Sequence, residues 1–333
     1  AVSITIPAAP IREAGEQLRK VTIQAGEVTA AIDASVLTQA GDSSGNIVFT
    51  VEKKSAAGLP ASVRNLIGDS AVYDFSLTQD GKRIAEFDQQ GVSVSVPHDL
   101  QPGQDPHNVI IVYLTGSGTY EVVANGWYDE TTGKVTFQPK PFSLYAVVYV
   151  SRSFNDLSTA PWAQTAIEAL AAREVVNGDG SGAFRPSDAI TRAEFVKMVV
   201  QVLGLSDEQA SSSFSDISKD DWYYASVAIA EQYGLVTGRS DGTFGASANI
   251  SRQDMALILY RAAKLTGTTL VENEHSSFKD ATAIAGYAEA AVEAMYQNGI
   301  IRGMGNGSFE PTAKATRAQA AMMIYGLLQL IAK

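Results

Sequence analysis

The sequence contains no cysteine, which removes disulfides, thiolate metal centres and cysteine nucleophiles from consideration. That absence suits an exported bacterial protein built without disulfides, and it leans toward the outside of the cell. No apolar run approaches the roughly 18 residues that a membrane-spanning helix needs, so no membrane insertion is expected. The first residues, AVSITIPAAP, lack a basic flank followed by an apolar core and do not read as an export signal. They read as a cut inside a longer chain with further domains upstream. An excess of positive charge is missing too. The 333 residues carry a formal net charge of −11, with 10 Lys/Arg against 16 Asp/Glu in residues 1–150 and 15 against 20 in residues 151–333. Neither half is a basic surface that holds nucleic acid or anionic lipid by bulk attraction. Any bound anion must be held locally.

What is present divides into two periodicities. A hydrophobic content of 45% and this length suit a globular chain of two or three domains. Residues 1–150 alternate apolar and polar in short bursts rich in β-branched and aromatic residues: Val2–Ile6, Asn46–Glu52, Val72–Leu77, Gly91–Val96, Asn108–Leu114, Gly133–Phe137 and Tyr145–Val150. Turn sequences such as QDGK, LQPGQDP and ETTG punctuate them. The expectation is an antiparallel β-sandwich-like domain, interrupted by one short helix near Pro60–Leu66. After Ser151 a period near 3.6 takes over. Phe195, Met198, Val199, Val202 and Leu203 fall on one helical face, and equivalent faces follow at Met255–Ala262 and Ala320–Ile331. The whole chain is expected to be an α+β multidomain protein.

The second half repeats itself. The hexapeptides ITRAEF (190–195), ISRQDM (250–255) and ATRAQA (315–320) align, and each follows a glycine loop beginning at Gly178, Gly238 or Gly303. In every copy that glycine lies 13 residues before the Ser/Thr, and the loop phenylalanine (Phe184, Phe244, Phe309) lies 8 before the arginine. Upstream stands an F-x-D opening at Phe154, Phe214 or Phe278, followed by an aromatic-led helix. The unit is about 60 residues, a period that marks a repeat architecture.

Local chemistry explains most of the unit. Asp156, Asp216 and Asp280 suit turns or caps ahead of the first helix. The loop phenylalanines read as core plugs. Thr191, Ser251 and Thr316 suit the N-cap, with Glu194, Asp254 and Gln319 three residues on; this is a capping box, complete in the first and third copies and weaker with Asp254. Arg192, Arg252 and Arg317 then occupy the first helical position, where a cation costs about 0.3–1 kcal/mol against the helix dipole. Each either pairs with a neighbouring carboxylate or, beside free helix N–H groups, helps form an anion pocket. Three occurrences at one position favour the pocket.

The combined motif of TRAEF, GDGSGAFRP and F-x-D…W…A resembles the S-layer homology (SLH) domain in its usual set of three, over residues 154–331. The resemblance implies an all-α pseudo-threefold bundle with repeats at 151–210, 211–272 and 273–333, and ligand grooves between neighbouring repeats. It also implies a non-catalytic anchor on the outside of a bacterium, in its cell wall or S-layer. The implied partner is a secondary cell-wall polysaccharide carrying ketal-linked pyruvate on N-acetylmannosamine. Other copies of the parent surface protein are a further partner. By the same resemblance Arg192, Arg252 and Arg317 bind the pyruvate carboxylate, Gly178, Gly238 and Gly303 belong to the glycan site, and Trp162, Trp222 and Tyr287 stack on sugar or form groove walls. Core packing beside the helix is the commoner role for such tryptophans. Tyr287 is displaced by one residue, the second repeat has Gly245-Ala246 where a loop proline is usual, and SRQD replaces TRAE there. Unequal use of the grooves is therefore expected, with one or two dominating.

Residues 1–150 are similar in style to β-rich modules that precede such triplets, and a spacer role is expected. A lesser role for Trp127, Tyr128 or Tyr120 is carbohydrate binding. Rival readings are a calcium module, for which each loop has too few oxygen ligands; a glycan-active enzyme using Asp216 with Asp220 or Asp221; and a self-assembly domain of a surface lattice. His98, His107 and His275 fit no triad or metal spacing and are expected to have surface roles. No cofactor is expected.

Overall fold

In the computed structural model, residues 1–38, 45–84, 91–272 and 278–332 are described, and His275 lies outside them. The described chain forms two units, Ala1–Ser151 and Arg152–Lys333.

The alternating bursts of the first unit become two antiparallel sheets. The strands are β1 (Val2–Pro7), β2 (Lys20–Ala25), β3 (Val28–Asp33), β4 (Asn46–Lys54), β5 (Val72–Gln79), β6 (Lys82–Arg83), β7 (Val92–Pro97), β8 (Val109–Leu114), β9 (Tyr120–Val123), β10 (Trp127–Asp129), β11 (Lys134–Phe137) and β12 (Leu144–Tyr149). One sheet runs β1-β4-β5-β12-β8-β9 with β6 beside β5; the other runs β10-β11-β7-β3-β2. Period-two patterning decides which face is buried. Ile47, Phe49 and Val51 of β4 are buried in a cluster with Val92, Val94 and Val96 of β7. Phe75 of the first sheet meets Phe137 of the second at 6.3 Å between ring centroids, so both sheets feed one core.

Three short helices accompany the strands: α1 (Ala8–Ala14), α2 (Ala34–Thr38) and α3 (Ala61–Ile67). The third is the interruption expected near Pro60–Leu66, and it explains why VIIVYL of β8 does not alternate. Ile110 and Val112, together with Ala146 and Val148 of β12, are buried on the opposite face from the cluster, where α3 packs against β12. The β2–β3 hairpin is not among the strands expected from sequence: KVTIQ holds β-formers in Val21, Thr22 and Ile23, but VTAAID dilutes them with Ala30 and Ala31. Pairing of Ala25 with Val28 across Gly26, which has φ +65°, supplies what local propensity does not.

The expected surface role of the histidines needs correction. His98 and His107 are half-buried, His98 edge-on to Tyr128 at 5.9 Å and His107 near Trp127 at 5.8 Å. Tyr128 is itself buried in the core, while Tyr120 is exposed. Burial pushes the His98 imidazole below its ordinary value, against the opposing pull of Asp99.

The second unit consists of α4 (Gln164–Ala172), α5 (Arg192–Val202), α6 (Tyr224–Gln232), α7 (Arg252–Leu265), α8 (Glu289–Gln297) and α9 (Arg317–Ile331), two per repeat. Helices adjacent in one repeat are not the packing pairs. Instead α6 packs on α5, α8 on α7 and α4 on α9, while α5, α7 and α9 contact one another. Every repeat therefore lays its first helix on the second helix of the preceding repeat, and the last such contact closes the circle. The apolar faces read from periodicity, including Phe195, Val199, Val202, Met255, Leu259, Ile324 and Leu328, are buried in this arrangement.

His98 gives the β unit a pH dependence with a defined sign. Its folded value lies below the unfolded one of about 6.5, so its contribution to stability is present above that pH and is lost as pH falls through the lowered value. The thermal midpoint of the β unit should drop between pH 7 and pH 5, and the drop should shrink in His98→Gln. An equal drop in the variant would contradict this.

Candidate functional site

Each glycine loop is held by its own repeat before it meets a neighbour. Asp156 accepts the backbone N–H groups of Phe184 and Arg185 at 2.8 and 2.7 Å. Asp216 does the same for Phe244 and Gly245 at 2.6 and 2.7 Å, and Asp280 for Phe309 and Glu310 at 2.8 Å each. These aspartates tie the repeat's opening to its loop, and none makes a side-chain cap bond to the turn that follows Asp156 or Asp280. That corrects the expected cap role. The second residue of each pair sits in the left-handed region, with φ of 62° at Arg185, 74° at Gly245 and 58° at Glu310. For the two non-glycine residues this strained conformation is held by the twin N–H···carboxylate grip. Burial alone raises the Asp216 and Asp280 carboxyls, but the loop amides outweigh it and keep both below the usual carboxylate range.

The loop glycines answer to space. A Cβ on Gly178 would stand 2.8 Å from the Phe154 ring, and one on Gly238 2.6 Å from Phe214; on Gly303 it would stand 3.2 Å from Phe278. Those rings pack on the loop phenylalanines at 5.4–5.5 Å, and Phe184, Phe244 and Phe309 are fully buried. Inside the loops, Asp179, Asp241 and Asn306 accept N–H groups of Ser181, Thr243 and Ser308 two residues on. These are Asx turns. Among the described residues no cluster of three acidic or histidine side chains could hold a metal ion.

At the start of α5 the Thr191 hydroxyl accepts from Glu194 N–H, and Glu194 accepts from Thr191 N–H at 2.8 Å. Thr316 and Gln319 make the same reciprocal pair at α9. Ser251 accepts from Asp254 N–H at 3.2 Å without a return bond, because the aspartate is one methylene short.

The free helix N–H groups on which an anion pocket was expected are not free. Arg192 N–H donates to Ala248 O at 2.9 Å and Ala193 N–H to Ala246 O at 3.1 Å, both in the next repeat. Arg252 and Gln253 donate to Ala313 and Pro311, and Arg317 and Ala318 donate to Asp188 and Pro186. Two residues before each arginine the chain closes a ring: Ile190 N–H to Ala315 O, Ala315 N–H to Ile250 O and Ile250 N–H to Ile190 O, at 3.0–3.1 Å. The missing loop proline changes none of this, since Ala246 offers the same carbonyl as Pro186 and Pro311.

The arginines follow the same cyclic rule. Nε of Arg192 donates to Phe244 O at 3.1 Å, that of Arg252 to Phe309 O at 2.7 Å and that of Arg317 to Phe184 O at 2.9 Å. The guanidinium carbons lie 5.0, 4.9 and 4.6 Å from the centres of those phenyl rings. Arg252 also donates to Arg302 O, and Arg317 to Asn177 O. Burial lowers Arg192 and Arg252 from their ordinary value, opposed by Asp254 for the first and by Glu310 and Asp280 for the second. Each cation thus meets the partial negative charge of the next repeat's loop, and this offsets its place at the positive end of its own helix.

Three grooves result, and every one draws on all three repeats. The first joins Arg317, Asn177, Glu194, Lys197 and Trp222 in about 190 Å³. Lining the second, about 460 Å³, are Arg192, Gly238, Arg239, Asp254, Arg261 and Tyr287. The third, about 610 Å³, is lined by Arg252, Arg302, Gly303, Met304, Gln319 and Trp162. Gly178 does not line the first. Trp162, Trp222 and Tyr287 are 57%, 61% and 59% exposed, which overturns core packing as the tryptophans' role. Tyr287, despite its shift in sequence, stands two residues before α8, as Trp162 and Trp222 stand two before α4 and α6; the preceding turn absorbs the extra residue. Its hydroxyl donates to Asp254 at 2.8 Å, and burial together with that carboxylate raises it to about 12. Lys197, Arg239, Arg261 and Arg302 were not recognised from sequence, because they keep no common position across the copies.

Residues 153–196, 213–256 and 277–321 match the family model of the S-layer homology domain. Similar proteins include an amylopullulanase of Thermoanaerobacterium thermosulfurigenes, 33% identical over 71% of this chain and 13% of that protein. Two others are a surface-layer 125 kDa protein of Lysinibacillus sphaericus, 31% identical over 51% of this chain and 14% of that protein, and the S-layer protein sap of Bacillus anthracis, 31% over 54% and 21%. The first match spans 238 residues, more than the whole helical unit, so it extends into the β unit. The chain spans 13% to 21% of the length of these relatives. Its helical unit is a triplet of S-layer homology domains, the module that anchors S-layer and other surface proteins to the cell wall. The chain belongs to a cell-surface, wall-associated protein. No described helix is long and apolar enough to cross a membrane.

Arg252 is 5% exposed and bridges two loop carbonyls. Arg252→Ala should destabilise the helical unit by about 3 kcal/mol in denaturant unfolding, since buried acceptors lose a charged donor. Arg252→Lys should recover only part, because an ammonium cannot span both carbonyls as a planar fork does. Wild-type stability in the alanine variant would contradict the clamp.

Proposed function

We propose that the helical unit is a non-catalytic anchor that binds pyruvylated secondary cell-wall polysaccharide in the grooves between repeats. The observation that carries this is the recurrence, in all three grooves, of an exposed aromatic ring and an arginine whose Nε is held by a loop carbonyl. A ring accepts the apolar face of a sugar, and the remaining guanidinium N–H groups suit a carboxylate. The ring of three hydrogen bonds is read as the axis of a pseudo-threefold bundle, and the two sheets sharing the Phe75–Phe137 contact as layers of a sandwich. The β unit acts as a spacer between the anchor and the rest of the parent protein, in which three anchoring grooves favour attachment by multivalency. Association with further copies of the parent protein in a surface lattice accompanies anchoring.

The chain itself is proposed to carry no catalysis, although one relative is named an amylopullulanase. Asp216 already holds two loop amides and Asp221 accepts Ser218 N–H at 2.7 Å, so neither is a poised acid or base.

The test is retention of the whole chain on purified wall glycan before and after mild acid removal of pyruvate. Retention should be lost with the pyruvate. The combined Trp162→Ala and Trp222→Ala variant should bind roughly tenfold or more weakly with unchanged thermal stability. These exposed rings are better probes than the arginines, whose loss would loosen the fold. Undiminished retention on depyruvylated glycan would contradict the reading, and self-association without any glycan binding would point to a lattice module instead.

A further inference from the structure

The three grooves share a plan but differ in whether a carboxylate stands beside the groove arginine: the first sets Arg317 and Lys197 against Glu194, the second Arg192, Arg239 and Arg261 against Asp254, and the third has Arg252 and Arg302. At the third position of the second helix, two repeats place an acid that faces the groove arginine. Glu194 Oε1 lies 4.0 Å from Arg317 Nη1, and Asp254 Oδ2 lies 3.7 Å from Arg192 Nη1. In the first groove Lys197 is also engaged, its ammonium 5.2 Å from the centre of the Trp222 ring. In the second, the Tyr287 hydroxyl is held between Asp254 and the Gln253 amide at 2.8 and 3.1 Å, so the aromatic meant for a ligand is tied to the carboxylate that would repel one.

The third groove lacks this internal neutralisation. Its position is Gln319, and among the described residues no acidic side chain lines it. Arg252 and Arg302 do, with Trp162 opposite and methionines along the wall. The acids whose charge acts on Arg252 are Glu310, in the glycine loop, and Asp280, which grips two amides of that loop; neither lines the groove. It is also the largest of the three, at about 610 Å³. An incoming carboxylate meets a fixed like charge in the first two grooves and none in the third.

We propose that the groove between Trp162, Arg252, Arg302 and Gln319 is the one that takes the anionic sugar, and that Gln319, standing where the other repeats carry Glu194 and Asp254, selects it. This rests on the anchoring function proposed above. Gln319→Glu is a fair probe because Glu194 makes the same capping bonds in α5, so the helix start tolerates the exchange.

The chain has three tryptophans, placed so that their indole N–H signals report on separate sites: Trp162 in the third groove, Trp222 in the first and Trp127 in the β unit. Titration of the whole chain with N-acetylmannosamine bearing a pyruvate ketal should move the Trp162 signal and leave Trp127 and Trp222 in place. Gln319→Glu should weaken binding by about tenfold or more, and Glu194→Gln should bring the Trp222 signal into the response. Binding that moves Trp222 first, binding without a Trp162 shift, or equal affinity in Gln319→Glu overturns the selection while leaving the anchoring function standing. If the ketal sugar and the intact polysaccharide both fail to bind the wild type, the anchoring function falls and the selection with it.

Discussion

The helical unit depends on one interaction made three times: a guanidinium from each repeat donates to the carbonyl of the phenylalanine in the next repeat's glycine loop. That bond is made between repeats in all three copies: Arg192 to Phe244, Arg252 to Phe309 and Arg317 to Phe184. Around it the backbone completes the join, with two helix N–H groups donating to the same repeat and the residue before the N-cap donating into the central ring. The polar groups that a helix start leaves unpaired are therefore satisfied by a neighbour and not by water. A repeat on its own would expose them all.

This constraint also explains why the grooves exist where they do. Clamping a loop across the start of a helix leaves a trough beside the arginine. The first helix of the remaining repeat supplies the far wall with its exposed aromatic. One side chain serves the fold through its Nε, joined in Arg252 and Arg317 by one terminal nitrogen, and its remaining edge lines the trough. The residue three positions from the cap then has two tasks. As Glu194 it closes a capping box and partly neutralises Arg317; as Gln319 it closes the box and leaves Arg252 without a carboxylate in the groove.

Much of this could be read from residue order because it is local. Alternation marked the β strands that bury one face, and the 3.6-residue period marked the faces of α5, α7 and α9. Fixed spacing put Thr191 and Glu194, and Thr316 and Gln319, at helix starts where reciprocal bonds are found. What could not be read is what depends on partners distant in sequence. Nothing in ITRAEF reveals that its amides are taken by carbonyls at Ala246 and Ala248, so an open anion site was the natural inference. Asp156 looks like a cap because its partners, Phe184 and Arg185, lie 28 and 29 residues away. The tryptophans looked like core residues because their helices are apolar, yet the cyclic packing of α4 on α9 and α6 on α5 turns those rings outward.

The central claim is that the three repeats are one closed body, each completing the next. Native-state hydrogen exchange on the whole chain tests it through the amides of Ile190, Ile250 and Ala315, which form the ring. If the ring holds the unit together, all three exchange only through one shared opening with the same free energy, that of unfolding the entire helical unit. A distinctly lower opening free energy at any one of them would show a repeat leaving the ring on its own, and would contradict the account.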